Sequence, residues 1–157
     1  MVTSVVARRI DEAGVLLALR AVSDPEIPAI SIVDLGMVGS VDVTPERIRV
    51  ELLPTFIGCP ALGLIQAAVA ARLDSFGLPV EAVASMRTPW TADRISPAGR
   101  DSLRRSGFAP PAEPDDVRCP YCASASVAMD SAFGPTQCRS LFYCRGCRQP
   151  FEAFKPV

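Results

Sequence analysis

Six cysteines and no histidine define the chemistry open to this chain of 157 residues. Four of the six form two Cys-x-x-Cys pairs, Cys119-Pro-Tyr-Cys122 and Cys144-Arg-Gly-Cys147, with 21 residues between them. Four thiolates so paired can close a tetrahedral shell around zinc and leave no open position, as structural sites do. Two other chemistries use the same letters. A glutaredoxin-type dithiol needs a helix starting at the second cysteine of Cys-Pro-Tyr-Cys, and Ala123-Ser-Ala-Ser-Val-Ala does not continue as one. An iron or iron–sulfur centre takes the same donor set. Structural zinc is the reading expected here, in a zinc ribbon with strands near 126–129 and 141–143. So small a module cannot bury enough apolar surface alone, and the metal must supply much of its stability.

The other two thiols stand apart. Cys59 lies in Gly58-Cys59-Pro60, where Pro60 has the φ angle of a first helical turn and places Cys59 at or beside an N-cap. A thiol there would face free N–H groups and the positive end of a helix dipole, which lowers its pKa. The competing reading is an inert cysteine buried beneath a helix start. Upstream, Thr55 offers a hydroxyl, and Asp24, Glu26 and Asp34 offer carboxylates. Turn and cap roles explain Asp24 and Asp34 at least as well as chemistry does. Cys138 falls between the two Cys-x-x-Cys pairs, as a packed thiol of a hairpin, a substitute ligand or a second reactive thiol.

These residues need elements to hold them. Residues 11–22 form a helical pattern with Val15, Leu16 and Leu19 on one face, ended by Asp24-Pro25. A loop at 24–28 follows, then a hairpin of 37–43 and 47–53, in which Val41/Val43 and Ile48/Val50/Leu52 alternate. A second helix opens at Gly58-Cys59-Pro60 and runs to about Ser75, with a stripe of Leu62, Ile65, Val69 and Leu73 and a stop at Gly77. Residues 80–86 read as a third strand, and Ser96-Pro97 caps a short helix that ends at Gly107. The expected fold is α/β (α+β), a small mixed-sheet domain at 1–107, with a Pro-rich acidic linker at 108–117 and the ribbon at 118–157.

Composition excludes several function classes. Hydrophobic residues make up 49% of the chain and the net charge is −1, so a packed core is expected and no basic excess draws nucleic acid or an anionic membrane. The longest apolar run, 61–73, is broken by Gln66 and Arg72 and is too short to span a bilayer. The opening MVTSVVARRIDEAG lacks the apolar region of a secretory leader, so a cytoplasmic location is expected. Without histidine there is no Ser/His/Asp triad, no His-ligated zinc hydrolase and no di-iron oxygenase bundle. A thiol enzyme using Cys59 as nucleophile would have only Asp24 or Glu26 as base, a poor activator.

Three stretches together resemble one family. Asp24-Pro25-Glu26-Ile27-Pro28, Val33-Asp34-Leu35-Gly36 and Pro54-Thr55-Phe56-Ile57-Gly58-Cys59-Pro60 are similar to the signature of the SufT-like iron–sulfur-assembly domain. Trp90-Thr91-Ala92-Asp93, the stretch to Gly107 and the ribbon ending Cys-Arg-Gly-Cys-Arg-Gln-Pro-Phe-Glu-Ala-Phe-Lys resemble a narrower branch. That branch is the PaaD (PaaJ) subunit family of the phenylacetyl-CoA epoxidase system. Leu53 departs from it, standing where the family often has threonine. The resemblance implies an accessory protein rather than an enzyme, one that helps mature or repair the oxygenase and reductase metal centres in phenylacetate breakdown. It implies Cys59 as a transient ligand for iron or an iron–sulfur cluster, with Asp24, Glu26, Asp34 and Thr55 as its neighbours. The partners implied are the oxygenase and reductase subunits. A non-catalytic docking subunit is the alternative, and a homodimer is left open.

Overall fold

The computed structural model describes residues 10–156. Most of the opening stretch read above as lacking a secretory leader lies outside them. The chain runs α1 (Glu12–Leu19), β1 (Ser23–Asp24), β2 (Ile27–Ser31), β3 (Val38–Val43), β4 (Ile48–Leu52), α2 (Leu62–Leu73), β5 (Val80–Ala84), α3 (Pro97–Arg105), β6 (Phe108–Ala109), β7 (Val127–Ser131), β8 (Arg139–Cys144) and β9 (Pro150–Phe154).

The first domain is built on a mixed sheet in the order β3-β4-β5. β3 and β4 form the expected antiparallel hairpin, with Val41 opposite Val50 and Val43 opposite Ile48. β5 lies parallel to β4, so α2 is the crossover that parallel pairing requires. Ile48, Val50 and Leu52 bury their side chains against Ile65, Val69 and Leu73 of α2 and Val15 and Leu19 of α1. α1 is shorter than the sequence pattern implies, because the chain leaves the helix after Leu19 to begin a strand. Leu16 is consequently half-exposed while Val15 and Leu19 are fully buried. α3 starts as expected: Ser96 Oγ accepts the Gly99 N–H at 2.9 Å, and Pro97 takes the first turn.

Three segments differ from the sequence reading. The expected loop at 24–28 is the turn of a two-stranded hairpin, β1–β2, because the Asp24 carboxylate accepts the N–H groups of Glu26 and Ile27 and folds the backbone locally. α2 begins at Leu62, with Ala61 as its N-cap, so Cys59 lies in the turn before the helix rather than at its cap. The acidic stretch 108–117 is not a free spacer. β6 pairs in parallel with β9, and Ala109 and Val117 are buried in the ribbon's own small core. The alternation Phe108-Ala109 was too short to register as a strand without its partner.

The ribbon sheet has the order β6-β9-β8-β7. Phe151 of β9 stacks on Phe142 of β8 with ring centroids 5.7 Å apart, inside this second core. Phe154, the last residue of β9, instead turns its ring into the core of the first domain, 5.6 Å from Trp90. Trp90 is fixed in turn by its indole N–H, which donates to the Leu35 carbonyl at 2.9 Å. The two domains therefore share buried aromatic surface. Among the described residues, no helix is long and apolar enough to cross a membrane.

Candidate functional site

Two groups of thiols emerge. In the ribbon, Cys119 and Cys122 precede β7, while Cys144 ends β8 and Cys147 sits in the turn to β9. The two turns carry the positive φ angles such knuckles need, at Ala123 and Arg148. All four sulfurs lie within 4.8 Å of one another, with Cys119–Cys147 and Cys122–Cys144 each at 3.6 Å. A tetrahedron with metal–sulfur bonds of about 2.3 Å has edges of about 3.8 Å, close to the two shortest edges of this cage. The Cys144 thiol is pulled down to about 6, first by the backbone N–H of Cys147 and then by the thiols around it. Burial and the same neighbours push Cys147 up to about 12. A set of sulfurs that cannot all ionise alone is one that a cation completes.

The second group sits where the domains meet. The Phe56 carbonyl accepts the Cys59 N–H at 3.2 Å, closing a turn whose third residue is Gly58 at φ +77°. That geometry is the one glycine supplies at the third position of a type II turn. Cys59, half-buried, lines a small cavity with Glu26 and Thr55 from its own domain and with Thr136 and Cys138 from the ribbon. Its thiol is pushed above the ordinary value, first by burial and then by the negative charges of Asp24 and Glu26, against one lowering hydrogen bond from the Ala61 backbone. This corrects the depressed pKa expected from an N-cap position. Burial of the thiol, with the carboxylates nearby, outweighs the single backbone hydrogen bond.

Of the carboxylates singled out, Glu26 reaches the cavity and Asp24 lies near enough to act on Cys59 by charge. Asp34 does neither. Its carboxylate accepts hydrogen bonds from Ser31 and Ser96 and pairs with Arg20 at 3.3 Å, tying α1, β2 and α3 together. Asp24 combines its turn-capping bonds with its proximity to the thiol. Thr55 is buried at the cavity wall. Leu53, the position that departs from the family pattern, is fully buried in the core.

One residue of this junction carried no signal in the sequence. Arg139, 7% exposed at its side chain, places Nη1 2.7 Å from Glu152 and Nη2 3.7 Å from Glu26. Its Nε donates to Thr136 Oγ1 at 2.8 Å, and its guanidinium lies 5.4 Å from the centre of the Phe108 ring. A single buried cation thus joins the first domain to the ribbon beside Cys59. Its adjacency to Cys138 was the one available hint.

Comparison with known proteins agrees with this two-part description. Residues 12–84 match the family described as iron-sulfur cluster assembly protein, and residues 105–155 match the PaaD zinc beta ribbon domain. The first domain is similar to the crystal structure of DUF59, a domain of unknown function from Bacillus anthracis: 29% identity, 59% of this chain and 90% of that chain covered, TM-score 0.55. A conserved hypothetical protein from Thermotoga maritima is similar at 27% identity, covering 60% of this chain and 94% of that one, with a TM-score of 0.52. The class is therefore an iron–sulfur-assembly-type domain joined to a four-cysteine ribbon.

Over 147 residues the chain is also 39% identical to an Escherichia coli (strain K12) protein provisionally named as one of the subunits of 1,2-phenylacetyl-CoA epoxidase, covering 88% of this chain and 89% of the relative. The chain belongs to the PaaD family of that epoxidase system.

Proposed function

We propose that this protein is a maturation factor for a multicomponent phenylacetyl-CoA epoxidase, receiving iron or an iron–sulfur unit on Cys59 and passing it to the oxygenase or reductase. The observation that carries this reading is the placement of Cys59. A glycine turn presents it in a hollow with Glu26 and Thr55, inside a domain of the iron–sulfur-assembly type. A lone thiolate leaves most coordination positions on iron open, which suits cargo that must depart. The raised thiol pKa keeps Cys59 protonated and unreactive at neutral pH until a cation displaces the proton.

In the same reading the ribbon cage holds zinc. It is closed, has four sulfurs and no oxygen or nitrogen donor, and stabilises the wall that faces Cys59. It performs no chemistry of its own. The test is Cys59→Ser in cells that depend on phenylacetate: epoxidation is expected to fail while the variant accumulates with one zinc per chain. Full epoxidase activity in that strain would refute the assignment.

A second reading, a docking subunit without cargo, draws on a different surface. An apolar groove of about 370 Å³ runs beside the Cys59 turn, lined by Pro54, Phe56, Ile57, Met86 and Trp90 among others. Ile57 is 80% exposed and Met86 58% exposed, unusual for residues so apolar. On this reading Cys59→Ser is silent, and the pair Ile57→Asp with Met86→Asp abolishes co-purification with the epoxidase subunits. Deleting the ribbon would not discriminate, because it would strip Phe154 from Trp90 and unfold the first domain's edge.

A further inference from the structure

Cys138 is the thiol that neither the ribbon cage nor the proposed cargo ligand accounts for. It stands one residue before β8 and is half-buried. Its backbone carbonyl accepts the Lys155 N–H at 2.8 Å, and its sulfur lies 3.2 Å from Thr136 Oγ1. Both Cys138 and Cys59 pack against the same core, that of the first domain. They line one hollow of about 10 Å³. That is room for one water-sized or ion-sized guest.

We infer that Cys138 is the second protein ligand of the cargo site, so that iron is held between two thiolates contributed by the two domains. The inference rests on the reading that Cys59 receives the cargo. Two sulfurs from separate loops select a thiophilic ion over magnesium or calcium. The guest is an iron ion with two open thiolate positions, whether free or at the corner of a cluster. Glu26 and Asp24 add negative charge facing Cys59, which favours a cation there. Among the described residues these groups do not come together as a three-ligand site, as the ribbon cysteines do, so the carboxylates supply charge and the two thiols the ligand atoms. Two protein ligands leave the rest of the shell to a client or a small thiol, so the cargo can depart. Binding ferrous iron releases the two thiol protons to solvent and changes no oxidation state.

Arg139 is the positioning residue of this clamp. Its Nε holds Thr136 at 2.8 Å and its Nη2 faces Glu26 at 3.7 Å, so the loop bearing Cys138 is set against the wall bearing Cys59.

The experiment uses full-length, zinc-loaded protein without oxygen. Ferrous iron alone, and ferric iron with sulfide, are titrated into wild type, Cys59→Ser, Cys138→Ser and Cys138→Ala, reading thiolate-to-iron absorption and retained zinc. Losing an outer-shell partner of a metal site costs about 10–100-fold in affinity, so losing a ligand should cost no less than about tenfold. Each Cys138 variant is expected to weaken iron binding at least that much while keeping its zinc. The first titration reports a free ion and the second a cluster; dependence on both thiols in either one supports the clamp. Iron binding that Cys59→Ser abolishes and the Cys138 variants leave intact overturns the clamp but spares the parent reading. Binding indifferent to Cys59, or absent from wild type, overturns both. A measurement on wild type guards against variants that lose zinc: iron should protect both cysteines from iodoacetamide, and protection of Cys59 alone overturns the clamp.

Discussion

Replacing Arg139 by methionine keeps an apolar stem of similar length and removes the charge that joins the two domains. Its side chain is 7% exposed, and its partners Glu152 and Glu26 are 27% and 29% exposed. Breaking a fully buried pair costs about 3–5 kcal/mol, because the remaining charge is stranded. Glu26 can recover part of its hydration, whereas the Glu152 Oε2 that faces Arg139 is itself buried, so the loss falls only to about 2–3 kcal/mol. At about 2–4 °C per kcal/mol for a chain of this size, the melting temperature should fall by about 4–12 °C. Thermal unfolding of the zinc-loaded protein reads this directly. The distances also rank the partners. In double-mutant cycles, coupling of Arg139 to Glu152 at 2.7 Å should exceed coupling to Glu26 at 3.7 Å. Arg139→Lys keeps the charge but loses the planar fork, and should fall between wild type and methionine. A stability for Arg139→Met within about 0.5 kcal/mol of wild type, the range of ordinary surface substitutions, would refute the assignment of this residue as the junction's cation.

Three further outcomes are expected. Trp90 is the single tryptophan and packs on Phe154, so stripping the ribbon metal with a chelator should red-shift its fluorescence; unchanged emission would show that the ribbon fold does not depend on the ion. Gly36→Ala should cost more than about 2 kcal/mol, since a Cβ there meets Arg94 backbone and side chain at 2.5 Å on top of a φ of +74°. Gly58→Ala, with a similar φ but open space around it, should cost only about 1 kcal/mol in denaturant unfolding; equal losses at both sites would contradict the packing described. The folded Cys59 thiol lies above its ordinary value of 9.0, so the stability it contributes is fully present below that pH and falls away as pH rises through the folded value. Wild type should therefore lose stability relative to Cys59→Ser above about pH 9, and a pH-independent difference would show that burial does not raise the thiol.

Local patterns carried the elements a reader can find one at a time. Ser96-Pro97 named the start of α3, the alternation Ile48-Arg49-Val50-Glu51-Leu52 named β4, and the paired Cys-x-x-Cys motifs named the cage. What failed was whatever depends on a partner distant in the chain. Phe108-Ala109 is a strand only because β9 lies alongside it. The start of α2 was misplaced by two residues because Pro60 favours a helical φ, yet the Phe56–Cys59 turn closes first. The expected direction of the Cys59 thiol reverses because burial, with Asp24 and Glu26 nearby, outweighs the one backbone hydrogen bond from Ala61. Asp34 and Glu26 are both loop or edge carboxylates in the sequence. Only the fold shows one tied among Ser31, Ser96 and Arg20 and the other turned to the thiol.

The wall formed by Thr136 and Cys138 has a consequence for synthesis. Cys59 leaves the ribosome early, and the residues that cover it follow only midway through the ribbon. At a translation rate of about 5–20 residues per second, the thiol waits on the order of ten seconds for its enclosure. The strand that seats Phe154 on Trp90 is the last of the described strands, and it belongs to the sheet beside the four-cysteine cage. Under the proposed function, the ribbon's ion would have to close the chamber before a transient one could be held in it.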